Sequence, residues 1–469
     1  MKQGVLPYGV EVVEAAGAVT ARGGLPLVVE AMRALGVSRA LKRHVRIRQR
    51  ARGSDEVAMI EALVMLLAAG GECLDDLAVL RADQGLGRLL DRELPSPDAA
   101  RRFLYEFHDE ELITYARQQR APGQVAYIPG EPAALRGLAQ VNVQLLERVA
   151  AQGRSRKATL DHDATIQESH KRESLAHYKG GRGYQPSVIY WAEQDLVVAD
   201  EYRDGNVPAG MENLRLIARG FASLPAPVTE YGFRADSACY EAEVLKWLAN
   251  PQRPDGPQGP IAFTISADMT AELRAKCAAR RERHWVVVEE RAEESVHCAE
   301  VEFTPGDWPK DAAPLRYVAV RIRKKQGWLF AAGYDTKYLA VVSNRWELGG
   351  AELLRWHWAK AGTIEHVHDV TKNELGAAVP PCGRFGANAA WYRLSLLTYN
   401  LLSAMKSLVL PAALSAARPK RLRFVLFTIA GRLIWHADTL VLRISQAAER
   451  LAGLVEARRR LAALAAASP

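Results

Sequence analysis

Cysteine is scarce in this 469-residue chain and follows no pattern: Cys73, Cys239, Cys277, Cys298 and Cys382 are odd in number and widely scattered. No CxxC or zinc-ligand spacing occurs, which excludes a disulfide framework and a zinc finger and fits a reducing compartment. Long apolar runs are missing too. The longest, such as Ala62 to Ala69, are too short to span a bilayer. The opening MKQGVLPYGVEVVEAAG lacks the charged-then-apolar order of a secretory signal. No internal repeat is present. These absences predict a soluble, cytoplasmic protein with no membrane partner.

What is present is an ordinary globular composition, 49% hydrophobic and 25% charged, with a net charge of +8. The length suits two or three domains and a large core. Most of the positive charge is local. From Arg418 to Pro469 there are nine Arg and one Lys against Asp438, Glu449 and Glu456, a balance of +7. A second basic cluster, LKRHVRIRQRAR, holds Lys42, Arg43, Arg46, Arg48, Arg50 and Arg52. Basic tracts of this kind contact phosphate backbones or simply solubilise a helix surface.

Hydrophobic periodicity divides the chain. Residues 1–153 read as helical, through LPLVVEAMRALGV, EVAMIEALVMLLAAGG and AALRGLAQVNVQLLERVAAQ. Ser96 and Pro97 read as the N-cap and first position of another helix. Short helices with a basic lead-in suit DNA-end binding or dimerisation. Residues 154–250 change to strands: KATLDHDATI, SVIYWAE and DLVVADEYRDGN, then the helix GMENLRLIARGFASL, then PVTEYGFRADSACYEAEVLKWLA, a strand running into a helix. A Pro/Gly linker, PQRPDGPQGP, opens residues 251–338, which read as an inserted antiparallel β region that includes IAFTISA. Residues 339–410 resume the core with YLAVVSN as its fifth strand and continue into helices. Residues 411–469 read as a basic helical C-terminal region.

The stretch WAKAGTIEHVHDVTKNEL, Trp358 to Leu375, has the spacing of one amphipathic helix. Glu365, His368, Asp369 and Lys372 share a stripe on it, which is either a solvated charged face or part of a cleft. Two other acids stand at strand ends, Asp163 after the first strand and Asp236 after the fourth. They are 73 residues apart, and Glu365 lies 129 residues beyond Asp236. Functional residues of α/β sheets collect where strands end. Three carboxylates there would repel one another unless metal is present. Mg²⁺ prefers carboxylate oxygen, water and phosphate, and two ions roughly 4 Å apart support phosphoryl transfer.

These residues carry a resemblance. LDHDAT, FRADSACY, and GTIEHVHDVTKNEL with FGANAAWYRLSLLTYNLL resemble the catalytic blocks of bacterial insertion-sequence transposases of the DDE class. The likeness is to the group with a β-strand insertion before the catalytic glutamate. It runs from about Arg154 to Leu402 and more loosely over the whole chain. In the related Tyr-Arg-Glu-Lys signature, Glu365 and Lys372 fit, Trp358 stands where Tyr is expected, and Ala361 where Arg is expected.

The resemblance implies an α/β fold: an RNase H-like mixed five-stranded core with an inserted antiparallel β region, a helical N-terminal domain and a helical C-terminal extension. It implies Asp163, Asp236 and Glu365 as catalytic metal ligands for two Mg²⁺ or Mn²⁺ ions. Asp161 and Asp369 stand as second-shell groups or alternatives, and Glu374 as a bystander on the surface. The implied DNA contacts are Lys372, Arg182, Arg203, Arg234, Lys324 and Lys325. The implied partners are double-stranded DNA, as terminal inverted repeats and target, and further copies of the chain as a homodimer or higher multimer. The place of action is the nucleoid. The activity implied is nicking at an element's end and joining of the freed 3′-hydroxyl to target DNA. The alternatives are an inactive transposase-derived DNA-binding protein and a metal-dependent nuclease of the same fold.

Several features have two readings. His162 is expected to point into the core. His366 and His368, two apart on a helix, diverge and do not form a metal pair. The Gly180–Gly183 segment is a phosphate clasp or a hairpin turn. Trp328 and Trp346 are core residues or platforms for an unpaired base.

Overall fold

The strand expected at KATLDHDATI forms over Lys157–Ala164 (β1) and lies inside a nine-stranded mixed sheet. The structure is a computed structural model. It describes residues 18–47, 55–153, 155–310, 312–325, 329–330, 335–444 and 448–467. The other strands of the sheet are Ser187–Trp191 (β2), Leu196–Glu201 (β3), Glu230–Ala235 (β4), Ile261–Ser266 (β5), Val286–Glu290 (β6), Glu294–Val301 (β7), Arg316–Lys324 (β8) and Thr336–Ser343 (β9). Their spatial order is β6-β7-β8-β9-β5-β4-β1-β2-β3.

β1, β2 and β3 form an antiparallel meander, while β4 runs parallel to β1 and β5 parallel to β4. An order of 3-2-1-4-5 with only the second strand reversed is the RNase H-like core. Every residue of β2 and β3 is buried, so both faces of this half are covered. One expectation is corrected here. The fifth core strand is Ile261–Ser266, not YLAVVSN. β9 pairs antiparallel with β5 as the first of four strands that extend the same sheet. IAFTISA was assigned to the insertion because the Pro/Gly linker before it looked like a boundary. Residues 261–265 pair with β4 on one side and residues 264–266 with β9 on the other.

The helices that matter for the site are Ala133–Gln152 (α1), Asn213–Ala222 (α2), Ala242–Ala249 (α3), Gly350–Trp358 (α4), Ile364–Glu374 (α5) and Phe385–Leu408 (α6). The stretch from Trp358 to Leu375 is therefore not one helix. α4 ends at Trp358, a turn over residues 359–363 follows, and α5 begins at Ile364. Gly362 weakens the helix there. The Thr363 hydroxyl donates to the Lys360 carbonyl and to Asp161, competing with the helical pattern.

α6 is buried all round from Gly386 to Met405. It packs against β3, α1 and the helix Glu56–Ala69, so the N-terminal helices and the sheet share one core. The Asn400 side chain clasps the backbone of Val197, accepting from its N–H and donating to its carbonyl, both at 2.7 Å. This satisfies edge strand β3 at its bulge. Arg393 donates to Asp200 at 2.9 Å and to Glu131 at 2.8 Å, tying the N-terminal region to β3.

The N-terminal helices follow their capping signals. Ser96 caps Pro97–Tyr105, and Gly70, in the left-handed region, ends Glu56–Ala69. Of the first basic cluster, Lys42, Arg43 and Arg46 are exposed, while Arg48, Arg50 and Arg52 lie outside the described residues. The C-terminal region is not wholly helical. Gly431–His436 and Thr439–Arg443 form a β-hairpin that pairs with the short strand Val19–Thr20. GRLIWHADTLVLR alternates with period two, and Ala437 and Asp438 turn it with positive φ. Among the described residues no single helix is long and apolar enough to cross a membrane.

Burial alone would push the Glu131 carboxyl up, but the Arg393 guanidinium overrides it and holds the group at about 2. The stability it contributes is full above the ordinary value of 4.5 and is lost as pH falls from there towards 2. Replacing Arg393 with Met leaves Asp200 without its cation and Glu131 with only Arg219, at 3.3 Å. We expect a loss of about 3–5 kcal/mol in urea unfolding at neutral pH, and a weaker dependence of stability on pH below 4.5 than in wild type.

Candidate active site at the carboxyl ends of the central strands

The site follows from strand register. In the parallel pairing of β1 with β4, Asp161 stands opposite Arg234. Side chains two residues on return to the same face. Asp163 and Asp236 are each two residues beyond that pair, so the same register carries both aspartates to one face at the strand ends. Asp163 closes β1. Asp236 follows β4 in extended conformation and caps a short turn, its carboxylate accepting from the Ala238 N–H at 3.1 Å.

Asp161 and Asp163 differ in what their oxygens meet. Asp161 is fully buried and accepts two bonds from Arg234, at 2.6 and 2.8 Å, and one from the Thr363 hydroxyl. Its oxygens are committed to holding strands and helices together. Arg234 also donates to the Trp356 carbonyl and lies over the Trp356 ring. It is therefore not a DNA contact, as its basic character had suggested, but part of the buried frame.

Asp163 and Asp236 differ from that pair. Both are half-buried, and among the described residues neither forms an ion pair with Arg or Lys within 4 Å. Burial raises both carboxyls, and the charge of Asp163 raises Asp236 further. The largest opposing charge on each is Lys360, with Lys372 also acting on Asp163. Lys360 sits in the turn between α4 and α5. Its charge also bears on His162, Cys239, His357 and His368. Sequence reasoning missed Lys360. It stands next to Ala361, where the resemblance called for Arg, and nothing in its spacing distinguishes it from an ordinary surface lysine.

α5 packs on β1 and presents its stripe to this corner. Glu365 is exposed in the first turn. His368, one turn on, is buried, with Nε2 3.7 Å from Asp163 Oδ2. Burial first, then Lys372 and Lys360, hold its imidazole at about 3, so it is neutral. Both ring nitrogens lack a partner, which costs about 1–3 kcal/mol for each buried polar atom left so. Lys372 donates to the Ile166 carbonyl. His366 is exposed, so the two histidines do diverge. His162 lies in the core, bonded to Ser187 Oγ at 2.8 Å and Cys239 Sγ at 3.1 Å.

These residues fit a divalent cation. Asp163, free of arginine, and the neutral imidazole of His368, with its unpartnered nitrogens, stand 3.7 Å apart, and Asp236 lies at the end of the adjoining strand. Among the described residues no three such groups lie close enough to enclose an ion. Mg²⁺ binds through one or two carboxylates and fills its remaining positions with water and phosphate.

Other expected contacts fare differently. Arg203 is buried and paired with Glu201 at 2.7 Å, so it is a core ion pair and not a DNA contact. Lys324 pairs with Glu294 at 3.1 Å and Lys325 with Glu290 at 3.4 Å, so neither is an unengaged cation as expected. Arg182 is exposed and donates to the carbonyls of Arg172 and Ser174. The Gly180–Gly183 segment is a hairpin turn leading into the strand Arg182–Tyr184. Asp369 pairs with Arg418 at 2.7 Å. Glu374 is buried rather than on the surface, accepting from Arg418 and from the Lys420 N–H, both at 2.6 Å. Trp346 is exposed, with Arg316 against its ring, and Trp328 lies outside the described residues.

Residues 6–466 match the family described as transposase DDE domain group 1. No curated protein matches the chain in sequence. Among solved structures, the chain is similar to a piggyBac transposase in its synaptic complex with hairpin DNA, with a TM-score of 0.48 and 11% identity. That match covers 85% of this chain and 78% of the other.

Asp161 and Arg234 give a direct test of the frame. Asp161→Leu or Arg234→Leu alone leaves a buried charge without its partner and should cost about 3–5 kcal/mol in urea unfolding. The double variant should recover part of that loss, giving a coupling energy in a double-mutant cycle.

Proposed function

The chain belongs to the transposases with a DDE domain of group 1, and from that premise we propose that it nicks the ends of its own element and joins the freed 3′-hydroxyl to target DNA. As a DDE transposase it is a polynucleotidyl transferase, and enzymes of this class use divalent metal ions. The observation that carries the reading is the pair of half-buried aspartates at the ends of adjoining parallel strands, without arginine partners, beside Lys360.

In this reading Asp163, Asp236 and Glu365 hold two Mg²⁺ or Mn²⁺ ions. Bound ions would supply Lewis acidity toward the scissile phosphodiester and stabilise the charge on the attacking and leaving oxygens. The chain's own residues do the rest. Asp163 and Asp236 present oxygens that no guanidinium occupies. Glu365 approaches from α5, on the stripe that also carries His368 and Lys372. Lys360 meets the phosphate, taking the part left open by Ala361. Lys372 and Arg182 face the DNA backbone, with the exposed Lys42, Arg43 and Arg46 as further contacts.

The reaction is two displacements at phosphorus, a hydrolysis and then a transesterification. Water opens a phosphodiester at the element's end, releasing a 3′-hydroxyl, and that hydroxyl displaces an oxygen of a target phosphodiester. Joining two ends at one target requires at least two copies of the chain in one complex. The place of action is the nucleoid.

Labelled terminal DNA of the element, incubated with the full chain and Mg²⁺, should yield nicked strands and joined product. Asp163→Ala and Asp236→Ala should bind the DNA and yield neither. Nicking without joining would make the protein a nuclease. DNA that is shifted but uncut by the wild type would sink both enzyme readings. Lys360→Ala should lower the rate of nicking roughly 10²–10³-fold, the cost of losing one preorganised charge contact at a reacting group, and Lys360→Arg should restore part of it.

A further inference from the structure

His368 is more than nine-tenths buried, yet neither of its ring nitrogens has a hydrogen-bond partner. A buried polar side chain left in this state calls for a ligand that completes it. Its neighbours do not do so. Asp163 Oδ2 is 3.7 Å from Nε2, too far for a hydrogen bond. The charges of Lys360 and Lys372 that reach the ring are positive and offer it no acceptor. His162, by contrast, is equally buried but has both nitrogens engaged, with Ser187 and Cys239.

We propose that His368 is a nitrogen ligand to a divalent ion seated at Asp163, giving the site a mixed oxygen and nitrogen donor set. The proposal rests on the metal-dependent reading of the site given above. Bonds of roughly 2.0–2.2 Å from an ion to a ring nitrogen and a carboxylate oxygen span the observed separation, because two such bonds together exceed it. The ion's other positions are left to water and phosphate. Imidazole suits Mn²⁺ and other transition metals better than it suits Mg²⁺. The site would therefore favour Mn²⁺ more than a site of carboxylates alone.

The test uses the full-length chain and Mn²⁺ alone as the probe, read by pulsed electron paramagnetic resonance and by titration calorimetry. Wild type should bind Mn²⁺ with ¹⁴N modulation from a coordinated imidazole, and labelling all histidines with ¹⁵N should replace that signal with ¹⁵N. This part needs no variant and so survives any folding defect. His368→Gln should abolish the nitrogen signal and weaken Mn²⁺ binding by about tenfold or more, while changing Mg²⁺ binding less. Mn²⁺ binding that depends on Asp163 but shows no histidine nitrogen would overturn the proposal and leave the carboxylate site standing. A nitrogen signal that persists in His368→Gln would also overturn it. Absence of Mn²⁺ binding in the wild type would overturn both the proposal and the reading of the metal site.

Discussion

The buried ion pair between Asp161 and Arg234 is the constraint from which the rest of the site follows. It joins two adjoining parallel strands at a fixed register. Because side chains alternate along a strand, it also determines which residues emerge at the ends of those strands. The same carboxylate takes the Thr363 hydroxyl, and the same guanidinium takes the Trp356 carbonyl. One pair thus anchors both strands and both sides of the turn between α4 and α5. Replacing a pair like this with apolar residues is often neutral for stability. What a hydrophobic substitute could not do is point a hydroxyl and a carbonyl at defined places. The pair specifies geometry more than it adds stability.

Around that frame the acids fall into two groups. Asp161, Asp200, Glu201 and Glu374 are buried and each is met by an arginine. Asp163 and Asp236 are half-buried and are met by backbone N–H groups and by the longer-range charge of Lys360. Composition does not separate these groups. Their partners do. A residue's chemistry here is decided by whether its charge is already spoken for.

Much of the core was legible because its signals are local. The central strands are short apolar runs bounded by turn residues, and Ser96 with Pro97 marks a helix start that forms as expected. The pairing of the first and fourth strands comes from the structure's register and not from the order of elements. Other features depend on contacts that no local pattern carries. Arg203 and Arg234 looked like cations available to a polyanion, but Arg203 is buried against Glu201, two residues before it, and Arg234 against Asp161 on the adjoining strand. The break after Trp358 is produced by a hydroxyl reaching to β1, while the helical spacing runs on without interruption. IAFTISA has the same composition whether it belongs to an insertion or to the core, and only its partners on both sides decide. The C-terminal hairpin was obscured by helical stretches on either side, although its alternation is plain once isolated. Lys360 could not be found at all, since its significance comes wholly from the groups its charge reaches.

The position of α6 in the chain has a consequence for how the protein is made. This helix is the common wall of the sheet and the N-terminal helices, yet it begins at Phe385. The helices translated first therefore wait, with their apolar faces uncovered, until more than three hundred further residues have emerged. β5 likewise waits for β9, some seventy residues later, before its second edge is closed. Such late closure of non-local contacts is slow and exposes partly folded chains to aggregation. A nascent or truncated copy ending before α6 cannot complete the N-terminal region. The competence of that region is thereby tied to synthesis of nearly the entire polypeptide.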